Sequence, residues 1–260
     1  MEGGKKDIRY ITCGLILLTV IVVIWEIAVR TGLISTLALP LPSRVFTALA
    51  NESTSAVFLK NWGRTVSMWA VSLTCGLFVG LLLGFTGGAY RGVYLAMLPL
   101  LGYLRSIPPI AMFPVALVAI GPGGLSICIV AALGAALYVF PGTVEAARES
   151  AERFHHLAAI LGARRTQFLR VFVAPGAALH ALASSRVAAT YAFAVCVAGE
   201  MIIGGRAGVG AAILDLSERY RLEQAYAYVL CTGLVGLVID ALFAKVSKMS
   251  VLGSIHAPRA

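Results

Sequence analysis

The segment LAAILGARRTQFLRVFVAPG, residues 157–176, differs in character from the sequence on either side of it. It is amphipathic and carries Arg164, Arg165 and Arg170, with Gly162 at a point where a helix would bend. Long apolar runs precede and follow it. The role of this short basic segment therefore depends on what the apolar runs on either side of it form.

The rest of the chain has the composition of a protein that lies in lipid. Of its 260 residues, 59% are hydrophobic and 13% are charged, whereas a soluble domain carries about 25% charged residues. The mean hydropathy is +0.89. Apolar runs of about 20 residues match helices that cross a bilayer, and not the short alternating segments of an outer-membrane barrel. The composition therefore predicts an all-α integral membrane protein.

Six apolar runs are long enough to be transmembrane helices of one domain, residues 1–260. We expect spans at about residues 10–28, 64–85, 93–120, 124–140, 179–203 and 224–243. The first run resembles a signal peptide, but it is too long and lacks a small-residue cleavage site. Glu26 and Arg30 lie four residues apart near its end and are expected to pair.

The segments between the spans are predicted as loops. Residues 31–60 contain a surface helix for which Ser43 is the expected N-cap. Residues 204–222 form a second loop, on the same side of the membrane. Residues 141–175 form a polar loop between spans 4 and 5, and this loop contains the basic segment.

Positive charges at the ends of the spans predict the orientation, because they are commoner on the cytoplasmic side. Six spans place both termini and residues 141–175 on one side. That side has twelve positive residues: Lys5, Lys6, Arg9, Arg91, Arg148, Arg153, Arg164, Arg165, Arg170, Lys245, Lys248 and Arg259. The other side has seven: Arg30, Arg44, Lys60, Arg64, Arg206, Arg219 and Arg221. We therefore expect a multi-pass membrane protein with both termini and residues 141–175 in the cytoplasm.

The net charge of +9 is explained by these flanking residues and by contact with membrane lipids. The sequence shows no basic surface with interleaved aromatic residues, so a nucleic acid is not expected as a partner. The cysteines lie within apolar runs without a C-x-x-C pair, which is typical of small buried residues; they are Cys13, Cys75, Cys128, Cys196 and Cys231. His155 and His156 diverge by about 100° on a helix, so no shared metal is expected.

Span 2 contains a stripe without side chains. Gly76, Gly80 and Gly84 recur at intervals of four residues. Such a stripe lets another helix approach closely, and packing then stabilises the pair in lipid. We expect the stripe to contact a helix of the same chain.

Span 3 contains Pro108 and Pro109, one turn after Arg105. Prolines free backbone carbonyls, which at that depth are satisfied only by protein or by a water-lined cavity. These three residues are therefore candidates for the translocation pathway.

Besides Glu26 and Arg64 near span ends, four charged residues fall within the predicted spans, where a charge near the bilayer centre costs about 3 kcal/mol. Arg105 is the stronger pathway candidate. Arg186 either extends to the headgroups or lines the pathway, and it lies about 21 Å along the helix from Glu200. Glu200 either caps an outer gate or lies at the outer interface. Asp240 is expected to make an interhelical hydrogen bond.

The basic segment has two apolar faces: Leu157, Ala158, Ile160 and Leu161 before Gly162, and Phe168, Val171 and Phe172 after it. Gly162 permits a bend between them, and Pro175 is expected to end the second helix. One interpretation is a pair of short helices held between the membrane domain and a soluble protein. The other is a helix on lipid headgroups, attached by its arginines. The residue pattern alone favours neither.

The order and spacing of several motifs resemble the permease subunits of ABC importers, type I fold. Gly162 and Pro175 keep the thirteen-residue spacing of the family's cytoplasmic signature loop. SIPPIAMFP at 106–114 resembles the PIPP stretch of the sulfonate, taurine and nitrate branch. Arg186, Glu200 in AGEMIIG, and GVG at 208–210 resemble that branch's span 5 and the turn after it. The similarity extends from about residue 39 to residue 240.

The resemblance is incomplete at one point. The family's Glu-Ala-Ala positions fall here on His156, Leu157 and Ala158. A literal EAA at 145–147 lies eleven residues too early to take that place. The departure concerns the polar contact with the ATPase, for which Glu149 and Glu152 are possible substitutes, and not docking itself.

The resemblance implies one half of an importer in the bacterial inner membrane. A second copy or a relative would complete the pathway, a dimer of cytoplasmic ABC ATPases would grip the 156–175 loops, and an extracytoplasmic binding protein would deliver the solute. The chain lacks G-x-x-x-x-G-K-[ST], so it is not expected to be an enzyme or to bind a cofactor. ATP and Mg would be used by the partner ATPase.

The solute expected from the resemblance is small and polar or anionic, such as a sulfonate, taurine or nitrate. A vitamin or vitamin precursor, such as riboflavin or a thiamine pyrimidine, is the alternative. An ion-coupled secondary transporter is less consistent with the sequence, because it predicts an inverted repeat and acidic groups at mid-membrane. A membrane enzyme would need clustered catalytic side chains, and a channel would not explain the basic segment.

Overall fold

The computed structural model describes the backbone of residues 3–203, 205 and 207–255. It describes the side chains of residues 12–90, 92–178, 182–203, 205 and 207–247. All regular elements in these ranges are helical, as predicted: α1 Gly3–Arg30, α2 Pro42–Glu52, α3 Ala56–Ala89, α4 Arg91–Ser106, α5 Pro109–Ile120, α6 Gly124–Ile160, α7 Arg165–Gln167, a π-helical turn Phe168–Val173, α8 Ala174–Ile203, α9 Val209–Glu218 and α10 Leu222–Ile255.

Five stretches of the described residues are long and apolar enough to cross a membrane: Thr12–Arg30, Ala56–Ala89, Gly124–Ile160, Leu182–Ile203 and Leu222–Ser247. The pair Gly92–Ser106 and Pro109–Ile120 makes a sixth if it is counted as one span. The predicted orientation remains a prediction. Seven of the positive residues behind it lie outside the described side chains: Lys5, Lys6, Arg9, Arg91, Arg206, Lys248 and Arg259.

The span predicted at 93–120 is broken into α4 and α5, which are bent by 98°. Ile107 and Pro108 have extended backbone angles between the two helices. A residue that precedes a proline is disfavoured in the helical region, and Pro108 is followed directly by Pro109. Pro109 is then the first residue of α5, a position where its missing N–H needs no partner.

The loop predicted at 141–175 is mostly helical, because α6 continues through Pro141 to Ile160. Residues 142–160 are polar but rich in alanine, glutamate and arginine, which favour helix. Polarity in this stretch therefore indicates a change of environment and not the end of the helix. Similarly, the loop predicted at 204–222 contains α9, and α3 extends the span predicted at 64–85 at both ends.

The first of two compact units contains the described residues up to Lys60 and Ala212–Cys231. Arg30 lies 2.6 Å from the Glu26 carboxylate, which confirms the predicted pair. Ser43 also donates a hydrogen bond from its Oγ to Glu26, at 2.9 Å. The prediction of Ser43 as an N-cap is wrong, since α2 begins at Pro42 and the cap residue is Leu41. The Ser43 hydroxyl is hydrogen-bonded to the Glu26 carboxylate and does not cap the helix.

The second unit contains residues 61–211 and the described residues from Thr232 onward. Its centre is the packing of α6 against α8, where Ala135, Ala188, Ala189 and Ala192 are fully buried. Small side chains let these two helices approach closely.

The glycine stripe of α3 packs against α6 in this unit, as predicted. A Cβ on Gly76 would lie 2.5 Å from the Ala132 carbonyl oxygen, and one on Gly84 would lie 2.5 Å from Thr143 Cβ. Gly80 is similarly close to Ala136. The stripe is therefore used within the chain.

The cysteines only partly follow the prediction of buried positions. Cys196 is buried, Cys128 and Cys231 are half-buried, and Cys13 and Cys75 are exposed. An apolar run alternates between faces that meet protein and faces that meet lipid, and a cysteine is compatible with either. All five are free thiols.

Candidate functional site

Glu200 lies near the C-terminal end of α8 and is almost completely buried, with 2% of its surface exposed. Its carboxylate accepts a hydrogen bond from the backbone N–H of Gly210, at 2.9 Å. The hydroxyl of Thr65 on α3 lies 2.8 Å from both carboxylate oxygens. Glu200 is thus enclosed by protein, and both expectations for it, an outer gate and a position at the outer interface, stay predictions.

Three successive backbone amides at the start of α9 are each held by a different side chain. Gly208 N–H donates to Asn61 Oδ1 at 3.1 Å, Val209 N–H donates to Thr65 Oγ1 at 2.9 Å, and Gly210 N–H donates to Glu200. The first amides of a helix have no partner within the helix. Their dipoles also favour a negative charge at that end. The three side chains therefore satisfy the N-terminus of α9.

Glycines allow this close approach. Gly208 has φ +131°, and a Cβ there would lie 2.5 Å from the carboxylate carbon of Glu200. A Cβ on Gly210 would collide with the carbonyl oxygen of Val197 in α8. The GVG sequence thus brings the backbone of 208–210 against α8, with Glu200 between them.

Arg186 forms a two-pronged ion pair with Asp240 of α10. Its Nε and Nη2 each lie 2.5 Å from a carboxylate oxygen. The interhelical hydrogen bond predicted for Asp240 is confirmed. Arg186 therefore meets a carboxylate of the chain rather than extending alone to the headgroups, and it is separate from Glu200 as expected.

Arg105 is in the last turn of α4, directly before the bend at Pro108 and Pro109. Its side chain is exposed. Within the described part of the chain, no carboxylate lies at ion-pair distance from it. Arg186 is therefore neutralised by a carboxylate of the same chain, whereas Arg105 is not.

Gly162 ends α6 in a left-handed conformation, with φ +62°. Gly162 N–H donates to the Ala159 carbonyl at 3.1 Å, and Ala163 N–H donates to the Ala158 carbonyl at 2.9 Å. These two bonds make a Schellman motif, the common helix end for which glycine is preferred. The bend predicted at Gly162 is confirmed, and nothing lies within 4 Å of where its Cβ would be.

The apolar side chains around this turn are mainly exposed. Of the predicted first face, Ala158 is buried, whereas Leu157, Ile160 and Leu161 are 45%, 82% and 64% exposed. Phe168 is half-buried, and Val171 is 62% exposed. The segment therefore presents apolar surface that the described residues leave uncovered.

The polar residues of the segment have few partners within the fold. Arg164 is exposed, and its backbone N–H bonds the side chain of Gln167. The guanidinium of Arg165 lies over the ring of Tyr90, 4.9 Å from its centre. His156 is exposed beside His155. No group of three or more His, Cys, Asp or Glu side chains that could hold a metal occurs among the described residues.

Pro175 does not end the helical segment. It is the second residue of α8 and is exposed. The preceding residues 168–173 form a π-helical turn, in which Ala174 N–H reaches back to the Leu169 carbonyl. π-Helical turns commonly occur where an α-helix is irregular. Here the helix continues past the proline.

The comparison with known proteins now identifies the family. Residues 72–248 match the binding-protein-dependent transport system inner membrane components. This chain belongs to that family. The matched region includes the broken span, the turn at Gly162, Glu200 and the GVG sequence. As a family member with several apolar helices, the chain is a multi-pass membrane protein.

Several curated transport permeases are similar to this chain. The nitrate import permease protein NrtB of Synechocystis sp. is 26% identical over 70% of this chain and 66% of its own length. The putative aliphatic sulfonates transport permease protein SsuC of Bacillus subtilis is 25% identical over 92% and 86%. The bicarbonate transport system permease protein CmpB of Synechococcus elongatus is 25% identical over 71% and 65%. The matches thus span about two thirds of the nitrate and bicarbonate permeases, and more of the sulfonate permease.

Sequence reasoning did not identify Asn61 and Thr65 as parts of the Glu200 site. They are polar residues four positions apart, so they lie on one face of α3. This four-residue spacing was the sequence signal that could have pointed to a shared polar site. Their partners are 147 and 144 residues away along the chain, and no local pattern connects such distant positions.

Proposed function

We propose that this chain is the permease subunit of an ATP-driven importer of small anionic solutes. Two copies, or this chain and a relative, form the pathway, an extracytoplasmic binding protein delivers the solute, and a dimer of cytoplasmic ABC ATPases drives transport. The family match over residues 72–248 supports this function. The names of the relatives, which specify nitrate, sulfonates and bicarbonate, favour an anion over a vitamin precursor.

The turn at Gly162 is the observation on which the coupling role rests. Ile160 and Leu161 are large apolar residues that remain exposed beside Arg164 and Arg165. Apolar surface rimmed by polar residues is typical of a protein–protein contact. The ATPase would bury these two side chains, and the arginines would meet acidic or polar groups at the rim.

His156 occupies the position at which the family motif has a carboxylate. The neighbouring acidic residues point to a different polar contact: Glu152 lies 4.0 Å from Arg148, one turn along α6, and both are exposed. We propose that the apolar residues at the end of α6 contribute most to docking, and that the polar contacts around His156 adjust it.

Co-purification of the ATPase with single variants tests this proposal. Ile160→Asp places a charge in the surface that the ATPase would desolvate, so the ATPase should be lost while the permease still inserts. Ala159→Asp is the matched control, because it adds the same charge to an exposed neighbouring position that faces another direction. ATP hydrolysis and uptake by the reconstituted assembly should follow the same ranking.

Two outcomes would contradict the coupling role. If Ile160→Asp retains the ATPase as fully as the wild type, the segment does not dock it. If Ile160→Asp keeps the ATPase, and replacement of Arg164 and Arg165 by Ala frees only this segment from the surface of anionic vesicles, seen as faster hydrogen exchange of its amides, the segment lies on lipid.

A further inference from the structure

A small cavity of about 170 Å³ lies at the bend between α4 and α5. Arg105 and Pro109 line it from the two sides of the bend, and Tyr138 of α6 and Tyr191 of α8 line it from the α6–α8 pair. The two tyrosine rings contact each other, with their centres 4.5 Å apart. The cavity therefore lies between the broken span and the α6–α8 pair at the centre of the second unit.

The polar side chains of this cavity are unpaired in the described part of the chain. Arg105 has no carboxylate at ion-pair distance, in contrast to Arg186 with Asp240. Neither tyrosine hydroxyl has a hydrogen-bond partner among the described residues. Arg105 and Tyr138 are exposed and Tyr191 is half-buried. Arg105 also lines a larger neighbouring cavity with Glu145, Glu149 and Glu152, but no ion pair joins it to any of them. A guanidinium within a membrane span is unfavourable without a counter-charge. An anion in the cavity would supply that charge.

The cavity depends on Gly134 of α6, which is buried. A Cβ at this position would lie 2.7 Å from Cε1 of Tyr191. The missing side chain thus lets the Tyr191 ring lie against α6 and form one wall. A methyl group would push the ring from this place.

The groups present select for an oxyanion of few atoms. Guanidinium donates two parallel hydrogen bonds to a pair of oxygens, and tyrosine hydroxyls add donors. Pro109 begins α5, so the positive end of that helix lies at the cavity as well. The volume is below the about 300 Å³ at which pockets for drug-sized ligands begin.

We propose that Arg105, Tyr138 and Tyr191 form a transit site for a small oxyanion at the α4–α5 bend. This inference rests on the proposed function, since it names where the imported anion contacts the chain. A lipid phosphate offers the same chemistry, and the experiment distinguishes the two sources.

The first test is uptake of nitrate and of methanesulfonate by the complete importer in phosphatidylcholine vesicles. Arg105→Gln should lower uptake about tenfold or more, because a charged hydrogen bond is lost, while ATP hydrolysis stays normal. Tyr191→Phe and Gly134→Ala should lower it less, and Arg105→Lys should restore part of it. Tyr103→Phe is the control, as Tyr103 is on α4, 67% exposed and outside the cavity.

The second test is thermal unfolding of the delipidated full chain. Nitrate or methanesulfonate should raise the Tm of the wild type and of Tyr103→Phe above the value in equal chloride, and should not raise that of Arg105→Gln. If phosphatidylglycerol alone raises the Tm through Arg105, the cavity holds a lipid phosphate and the proposal is overturned.

Failure of the transit site differs from failure of the proposed function. If the wild type transports an oxyanion and Arg105→Gln transports it equally fast, the site is refuted and the importer stands. If the wild type transports neither probe, the anion-importer function fails. The Tm difference between the wild type and Arg105→Gln then decides whether the cavity binds an oxyanion.

Discussion

The turn before residues 165–203 and the turn after them use glycine and charge in opposite ways. Before α8, Gly162 has φ +62° with open space around it, and the nearby arginines and apolar side chains remain uncovered. After α8, Gly208 and Gly210 are pressed against Glu200 and Val197, and the charged side chain is enclosed by donors. The first end leaves its apolar and basic side chains uncovered by the described residues, whereas the second completes its contacts within the chain.

The difference shows that a glycine is required for two separate physical reasons. At Gly162 the backbone angle alone requires glycine, because a left-handed residue ends a helix in a Schellman motif. At Gly210 the space requires glycine, because the backbones of two segments meet there. A side chain would therefore meet strain at one end and collision at the other, and the expected effects differ in size.

The largest effect is expected from Gly210→Ala. Its Cβ would collide with the Val197 carbonyl and lie 2.9 Å from Glu200 Cβ. Backbone atoms cannot move aside as a flexible side chain can, so we expect a loss of about 3 kcal/mol of stability, at the upper end for overpacking. Thermal unfolding in detergent measures it. Gly236→Ala is the control, since nothing lies within 4 Å of that position; equal stability of the two variants would refute the close approach.

A smaller loss is expected from Glu200→Ala. It leaves the Gly210 N–H without its buried acceptor, at about 1–3 kcal/mol for an unsatisfied group, whereas the Thr65 hydroxyl can still donate to the Asn61 carbonyl, 3.2 Å away. Glu200→Gln retains an acceptor oxygen and should lose less. Denaturant unfolding ranks the two variants against Glu223→Ala, which removes an exposed ion pair with Arg44 at 3.2 Å and should change stability little. A loss from Glu200→Ala no larger than that of Glu223→Ala would show that the buried bonds do not stabilise the fold.

The smallest effect is expected from Gly162→Ala, which forces a left-handed alanine and costs about 1 kcal/mol. The loss should be local, because no atom is displaced. Hydrogen exchange of the Ala163 amide, which bonds the Ala158 carbonyl, should become faster by several-fold. Gly162→Asn should change it less, since asparagine tolerates this conformation. Unfolding of the whole chain by Gly162→Ala would mean that this end is packed as tightly as the other.

Much of the fold was predictable because its signals are local. Apolar runs of sufficient length identify helices in lipid, the spacing of Gly76, Gly80 and Gly84 identifies a packing face, and Gly162 identifies a helix end. The pair Glu26–Arg30 lies within one turn. In each case the interacting groups are separated by a few residues, so that their geometry follows from the helix itself.

Local polarity was a poor guide to where helices stop. Residues 142–160 were expected in a loop, although their composition favours helix, and α6 includes them. Pro175 was expected to end a helix that instead continues through a π-helical turn. A helix that leaves the bilayer changes its side chains and not its backbone hydrogen bonds.

The sequence by itself determined an all-α membrane protein, the turn at Gly162 and the residues that could carry charge within the spans. Only the tertiary structure decided which of those charges are neutralised. Arg186 meets Asp240 54 residues away, and Glu200 accepts a hydrogen bond from Thr65 135 residues away. Whether a charge has a partner depends on which distant helices become neighbours, and the free energy of that choice comes from the packing of those helices.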